Sequence, residues 1–193
     1  MKVVIIGYNS GNIHSVRLAL QRLNVEATVS SDPAVIQAAD KVIFPGVGEA
    51  SSAMKFIKAN GIFEILPQLR QPTLGICLGL QLMCRDSEEN ATQCFGIFDV
   101  AVRKFPPLAK VPQVGWNTLF DLKGELFRDV AENSYVYFVH SYYAELSEHT
   151  IAQTEYIVPY SAAMQKDNFF AVQFHPEKSG KVGEQILQNF IKL

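Results

Sequence analysis

The feature that most constrains this chain is a junction without a loop. Thr73-Leu74-Gly75-Ile76 is a short apolar run, and it passes through Cys77 straight into a second one, Leu78 to Cys84. Four to five apolar residues buried on both faces read as an interior strand, and the following run is long enough for an apolar helix. A strand feeding a helix this tightly belongs to a mainly parallel sheet covered by helices. The first half repeats the pattern. Lys2-Ile6 reads as a strand, and Ile13, Val16, Leu20 and Leu23 recur at helical steps after the Gly7 to Gly11 turn. Val25-Val29 and Lys41-Phe44 read as further strands, the latter ending at Pro45-Gly46-Val47-Gly48, with a helical region from Glu49 to Leu66.

Beyond Phe95 the pattern changes. Gly96-Val102, Tyr135-Val139 and Phe169-Phe174 are short strands separated by turn-rich stretches without strong helical periods, so this half is expected to be more antiparallel. The last helix, from Gly180, carries Val182, Ile186, Leu187, Phe190 and Ile191 on one stripe, with Ser179 placed as its N-cap. The expected fold is α/β, with three layers: a mainly parallel central sheet, helices on both faces and an antiparallel extension. No repeat or linker divides it, and 193 residues suit a single domain spanning 1–193.

Charge and cysteine content narrow the function classes. Seventeen basic against nineteen acidic side chains leave a net charge of −2 with no block of like charge, which argues against nucleic acid as a partner. No apolar run approaches the roughly 18 residues of a membrane helix, and Met1 to Ile6 is too short for a signal sequence, so a cytoplasmic protein without membrane contact is expected. Cys77, Cys84 and Cys94 form no CxxC pair; neither a disulfide framework nor a metal site is suggested, and no cofactor is called for.

Two segments are suited to nucleophilic catalysis. Gly75-Ile76-Cys77-Leu78-Gly79 meets the demands of a nucleophile elbow, in which small residues two before and two after the nucleophile permit a sharp strand-to-helix turn and leave the thiol exposed. The helix N-terminus behind it favours a thiolate. His175-Pro176-Glu177 follows a strand directly, and in extended backbone residues i and i+2 share a face, so Glu177 would hold the imidazole while its other nitrogen meets Cys77. An oxyanion also needs donors: the N–H of Leu78 is one, and the glycine-rich turn at 45–48 offers a second. Cys84 and Cys94 are read as core. His14, His140 and His149 are competing bases, and His14 and His149 lack a nearby acid in a strand-end context.

Taken together, PGVG at 45–48, GICLGLQ at 75–81 and FHPEKSG at 174–180 resemble the class I glutamine amidotransferases, and more narrowly the glutaminase subunits of imidazole glycerol phosphate synthase in histidine biosynthesis. GN at 11–12, SV at 15–16, SEE at 87–89, KVP at 110–112, GWN at 115–117 and FVHSYYA at 138–144 support the likeness, which spans nearly the whole chain in order. The resemblance implies a flavodoxin-like fold and a triad of Cys77 as nucleophile, His175 as general base and acid and Glu177 as orienter. It places Val47 and Leu78 in the oxyanion hole, and Gly48, Gln81, His140, Ser141 and Tyr142 around the glutamine. Trp116, Tyr137 and Lys178 match positions that face a partner, a synthase (cyclase) subunit of (β/α)8-barrel fold that forms a heterodimer and receives the ammonia. Gln113-Val114 replace the His-Met usual before GWN, and Gly7-Tyr8-Asn9-Ser10 departs from the Asp/Asn-Tyr-Gly pattern near the first strand.

These departures keep an alternative open: a paralogous glutaminase subunit feeding ammonia to another synthase, such as a sugar-aminating enzyme of surface polysaccharide synthesis. Two rivals lie further off. One is a stand-alone Cys hydrolase on a similar sheet. The other is a binding module whose Gly7 to Gly11 turn cradles a phosphate, although that turn lacks both GxGxxG and the P-loop lysine.

Overall fold

A computed structural model describes residues 1–8 and 12–193. The Gly7 to Gly11 turn, on which the phosphate-cradle reading rests, therefore falls largely outside the described residues.

Strands β1 (Val3–Ile6), β2 (Ala27–Ser30), β3 (Lys41–Gly46) and β4 (Thr73–Cys77) alternate with helices α1 (Ile13–Arg22), α2 (Pro33–Gln37), α3 (Ala50–Ala59) and α4 (Ile62–Ile65). Helix α5 (Leu78–Met83) leaves β4 with no intervening residue. The second half contributes β5 (Asp86–Ser87), β6 (Thr92–Gln93), β7 (Ala101–Lys104), β8 (Gln113–Thr118), β9 (Tyr135–His140) and β10 (Tyr142–Ala144). It ends with β11 (Thr150–Tyr156), β12 (Val158–Lys166), β13 (Phe169–Val172) and α6 (Gly180–Lys192).

Seven strands form the main sheet in the order β11-β12-β13-β4-β3-β1-β2. From β2 across to β13 every pairing is parallel, and β12 and β11 add the antiparallel edge. Because side chains alternate along a strand, β1 sends Val4 and Ile6 into one core with Val42, Phe44, Ile57 and Leu80. Val3 and Ile5 enter the other, with Ile43, Leu20, Ile186 and Phe190. Helices cover both faces, so the expected three-layer α/β fold with an antiparallel extension is the one found. A four-stranded sheet, β10-β7-β5-β6, and the β8-β9 ribbon flank the main sheet.

Several expectations need correction. The helical region from Glu49 to Leu66 breaks at Asn60-Gly61, where Gly61 takes φ +68 and restarts the chain in a new direction as α4. The strand expected at 96–102 starts only at Ala101, since Gly96 turns with φ +69. The strand expected at 169–174 ends at Val172, and the one expected at 25–29 spans Ala27–Ser30. Ser179 sits at the start of α6 without capping it. Its hydroxyl donates to the His175 carbonyl at 2.6 Å and accepts the Tyr137 N–H at 3.0 Å, tying β9 to the turn before the helix.

Candidate active site

Parallel strands deliver their carboxyl ends to one edge of the sheet. The neighbours β1, β3, β4 and β13 end at Ile6, Gly46, Cys77 and Val172, and Val47, Cys77 and His175 stand at or just past those ends, so side chains far apart in sequence converge there. Cys77 closes β4 opposite Gly46 and has φ 54 and ψ −107, a conformation that a non-glycine residue adopts only when its surroundings enforce it. The flanking glycines show what enforces it. A Cβ on Gly79 would sit 1.9 Å from the Phe44 carbonyl oxygen, and one on Gly75 would meet Gly79 backbone atoms at 3.0 Å. The elbow therefore packs backbone on backbone, against both β3 and its own first turn.

Behind the thiol, His175 Nδ1 lies 2.7 Å from Glu177 Oε1. The contact does not use the shared face of an extended strand, as the sequence suggested. Pro176–Lys178 form a turn of 3₁₀ helix that brings the carboxylate back beneath the ring. Asn12, which the sequence did not single out as a site residue, completes the cluster: its amide nitrogen donates to Glu177 Oε1 and lies 3.1 Å from His175 Nδ1. The other ring nitrogen, Nε2, is buried without a hydrogen-bond partner among the described residues. Burial opposes charge on this imidazole, but Cys77 and Glu177 outweigh it and raise its pKa to about 10.

Cys77 opens on a cavity of about 280 Å³ lined by Val47, Gly48, Leu78 and Gln81 on one side and by His140, Ser141 and Tyr142 on the other. All of the residues expected to surround the nucleophile thus share one cavity. Glu89 and Pro112 also line it and were not anticipated. Burial raises the Glu89 carboxyl, while the Ala50 N–H donating to it at 2.7 Å partly offsets the effect. The only sequence signal for Glu89 was its place in SEE.

The His140 wall is held by a buried network. Its Nδ1 is 2.7 Å from the Tyr142 carbonyl and its Nε2 is 3.1 Å from the Tyr160 hydroxyl, which contacts Gln113 Oε1 at 2.8 Å. A carbonyl can only accept, so Nδ1 carries the proton. Burial lowers the His140 pKa to about 4, keeping the ring neutral. Gln113, a departure from the family pattern, supports the wall from outside the cavity.

Trp116, Tyr137 and Lys178 also come together, on the surface rather than in the cavity. Trp116 pairs with Tyr137 across the β8-β9 ribbon, their rings edge to face at 6.0 Å, and Lys178 Nζ stands 5.8 Å from the Tyr137 ring centre. Trp116 is 56% exposed, which argues against a core role for this lone tryptophan, and Val114 and Tyr135 on the same ribbon are exposed as well. The Tyr137 carbonyl accepts the His175 N–H at 2.9 Å, so this surface is bonded directly to the histidine.

Comparison with known proteins agrees with this picture. The family model "Glutamine amidotransferase class-I" matches residues 4–193. Imidazole glycerol phosphate synthase subunit HisH of Bacteroides fragilis is 58% identical over 196 residues, covering all of both chains. The protein of the same name from Yersinia pestis is 43% identical, again covering all of both chains. A solved glutamine amidotransferase superposes with a TM-score of 0.76 over 98% of this chain and 97% of its own, at 17% identity, a likeness of fold alone.

Proposed function

Because the chain belongs to the class I glutamine amidotransferases, and within them to the HisH subunits of imidazole glycerol phosphate synthase, we propose that it hydrolyses glutamine and passes the ammonia to a synthase partner. The observation that carries this reading is the convergence of a strained Cys77 with the buried His175–Glu177 pair at one end of a small cavity. Identity at the level of these relatives favours the histidine-pathway subunit over a sugar-aminating paralogue.

Glutamine lies in the cavity with its side-chain amide at Cys77. The sulfur attacks the amide carbon as a thiolate, and the oxygen, gaining charge, accepts N–H groups of Leu78 and of Val47 in the glycine-rich turn. His175 keeps Nδ1–H on Glu177, so Nε2 is the nitrogen that gives a proton to the departing amine. Ammonia leaves and a glutamyl thioester remains. Water then attacks the thioester carbon while Nε2 takes its proton, releasing glutamate and restoring the thiolate. Gly48, Gln81, His140, Ser141 and Tyr142 shape the walls that hold the substrate. Glu89 supplies a carboxylate on the cavity wall for the ammonium group of the amino acid.

The ammonia acceptor is a cyclase subunit of (β/α)8-barrel fold joined in a cytoplasmic heterodimer. It docks on the face formed by Trp116, Tyr137 and Lys178. Exposed apolar side chains clustered on one ribbon, whose Tyr137 carbonyl accepts the His175 N–H, support this face as the contact. Glutamate release should be measured with the chain alone, with the cyclase subunit of the same organism, and with that subunit plus its nucleotide ligand. Strong stimulation in the last case is expected. A folded chain that this cyclase fails to stimulate would contradict the assignment.

A further inference from the structure

Gln173 is fully buried between β13 and the His175 turn, and no sequence reasoning singled it out. Its amide stands at the end of a bonded chain that begins at a backbone carbonyl. The Tyr142 carbonyl accepts from Gln81 at 3.0 Å, and since a carbonyl cannot donate, the atom facing it is Gln81 Nε2. That nitrogen also donates to Gln173 at 3.1 Å, which fixes the facing atom as Gln173 Oε1. The remaining end of Gln173 is then its nitrogen, and it lies 3.6 Å from Cys77 Sγ. Each orientation is forced by the one before it, so the group placed on the sulfur is an N–H donor.

We propose that Gln173 is a catalytic residue of this site, whose amide N–H donates to Cys77 Sγ, stabilises the thiolate and fixes the sulfur's direction of attack. The proposal rests on the reading of Cys77 as the nucleophile. A hydrogen bond to an ionised acceptor strengthens as charge builds on it, so this donor favours the thiolate over the neutral thiol. Among the described residues the sulfur also contacts a carbonyl, that of Val139 at 3.9 Å, which favours the thiol. Gln81 acquires a second role, holding the Gln173 amide so that it cannot turn its oxygen towards the sulfur.

The test reads the pH dependence of Cys77 alkylation by iodoacetamide, followed on the Cys77 peptide by mass spectrometry so that buried Cys84 and Cys94 do not contribute. The titratable groups around the sulfur are His175 with Glu177 behind it, Tyr8 just beyond β1, Tyr160 on β12, and His140, Tyr142 and Glu89 across the cavity. All seven remain in Gln173→Leu and Gln173→Met. Both variants are expected to raise the alkylation midpoint by about one pH unit, equivalent to a roughly tenfold loss of thiolate at a given pH. They should also lower kcat about tenfold with little change in KM. A purely structural role would lower the unfolding temperature and leave the midpoint in place, and an unchanged midpoint in a folded variant overturns the proposal. The unsubstituted protein gives a second test. The Gln173 side-chain amide proton resonances, followed by NMR, should titrate with the Cys77 alkylation midpoint, and resonances that ignore it overturn the proposal as well. Failure of the glutaminase reading would show differently, as absence of glutamate release from the unsubstituted complex.

Discussion

His175 Nδ1 and Glu177 Oε1 lie 2.7 Å apart, and both side chains are 0% exposed. A bond to the imidazolium this deep in the protein links the site to the stability of the fold. The His175 pKa is raised from 6.5 to about 10, so its contribution is fully present below pH 6.5 and is lost as pH climbs through 10. With Cys77, Glu177 holds the proton on the imidazole, and Glu177→Gln removes its charge. The difference in unfolding temperature between the unsubstituted protein and the variant should be largest near pH 6 and shrink towards pH 10. A difference independent of pH would contradict the pairing.

Asn12 donates to the same carboxylate oxygen, so its replacement separates hydrogen bonding from charge. Asn12→Ala loses the donor and should lower kcat about tenfold. Asn12→Asp sets a second carboxylate against Glu177 and should cost about a hundredfold or more. Glutamate release by the complexed variants measures both. Equal rates in the two would show that Asn12 acts only as packing.

Gly79 touches the Phe44 carbonyl oxygen so closely that an added Cβ would lie 1.9 Å from it. Backbone cannot swing aside as a flexible side chain does. Gly79→Ala should destabilise the fold by about 1–3 kcal/mol and abolish turnover by moving Cys77 out of its turn. Thermal unfolding and glutamate release together check this, and a variant that keeps both would show that β3 and α5 separate easily.

Val47→Pro deletes the N–H assigned to the oxyanion in the glycine-rich turn. Partner-stimulated turnover should fall about 10²–10³-fold while Cys77 alkylation continues. Intact stimulated turnover in this variant would remove Val47 from the mechanism.

Much of this was legible in the sequence where the signal is local. The elbow lies within five residues, and His175 and Glu177 within three, so their types and spacing announce themselves. The alternating apolar runs of the first half likewise place β1, β3 and β4 almost to the residue. Contacts between distant segments were hidden. Asn12 meets His175 across 163 positions and Gln173 meets Cys77 across 96, and neither residue type is unusual where it stands. Helix α2 went unread although Asp32, whose side chain accepts the Ala34 N–H at 2.8 Å, and Pro33 form an ordinary start signal, because five residues are too few to show a helical period. The long β11-β12 hairpin was passed over in turn. Burial of both faces of β12 blurs the alternation that marks a half-exposed strand.

The central claim is that the sulfur of Cys77 breaks the glutamine amide bond. Glutamate release by Cys77→Ala, measured in the complex with the synthase partner and its nucleotide, tests it most directly. The account predicts no release above the partner's own background from a variant that still folds and still binds the partner. Turnover retained at or near the level of the unsubstituted protein would contradict it.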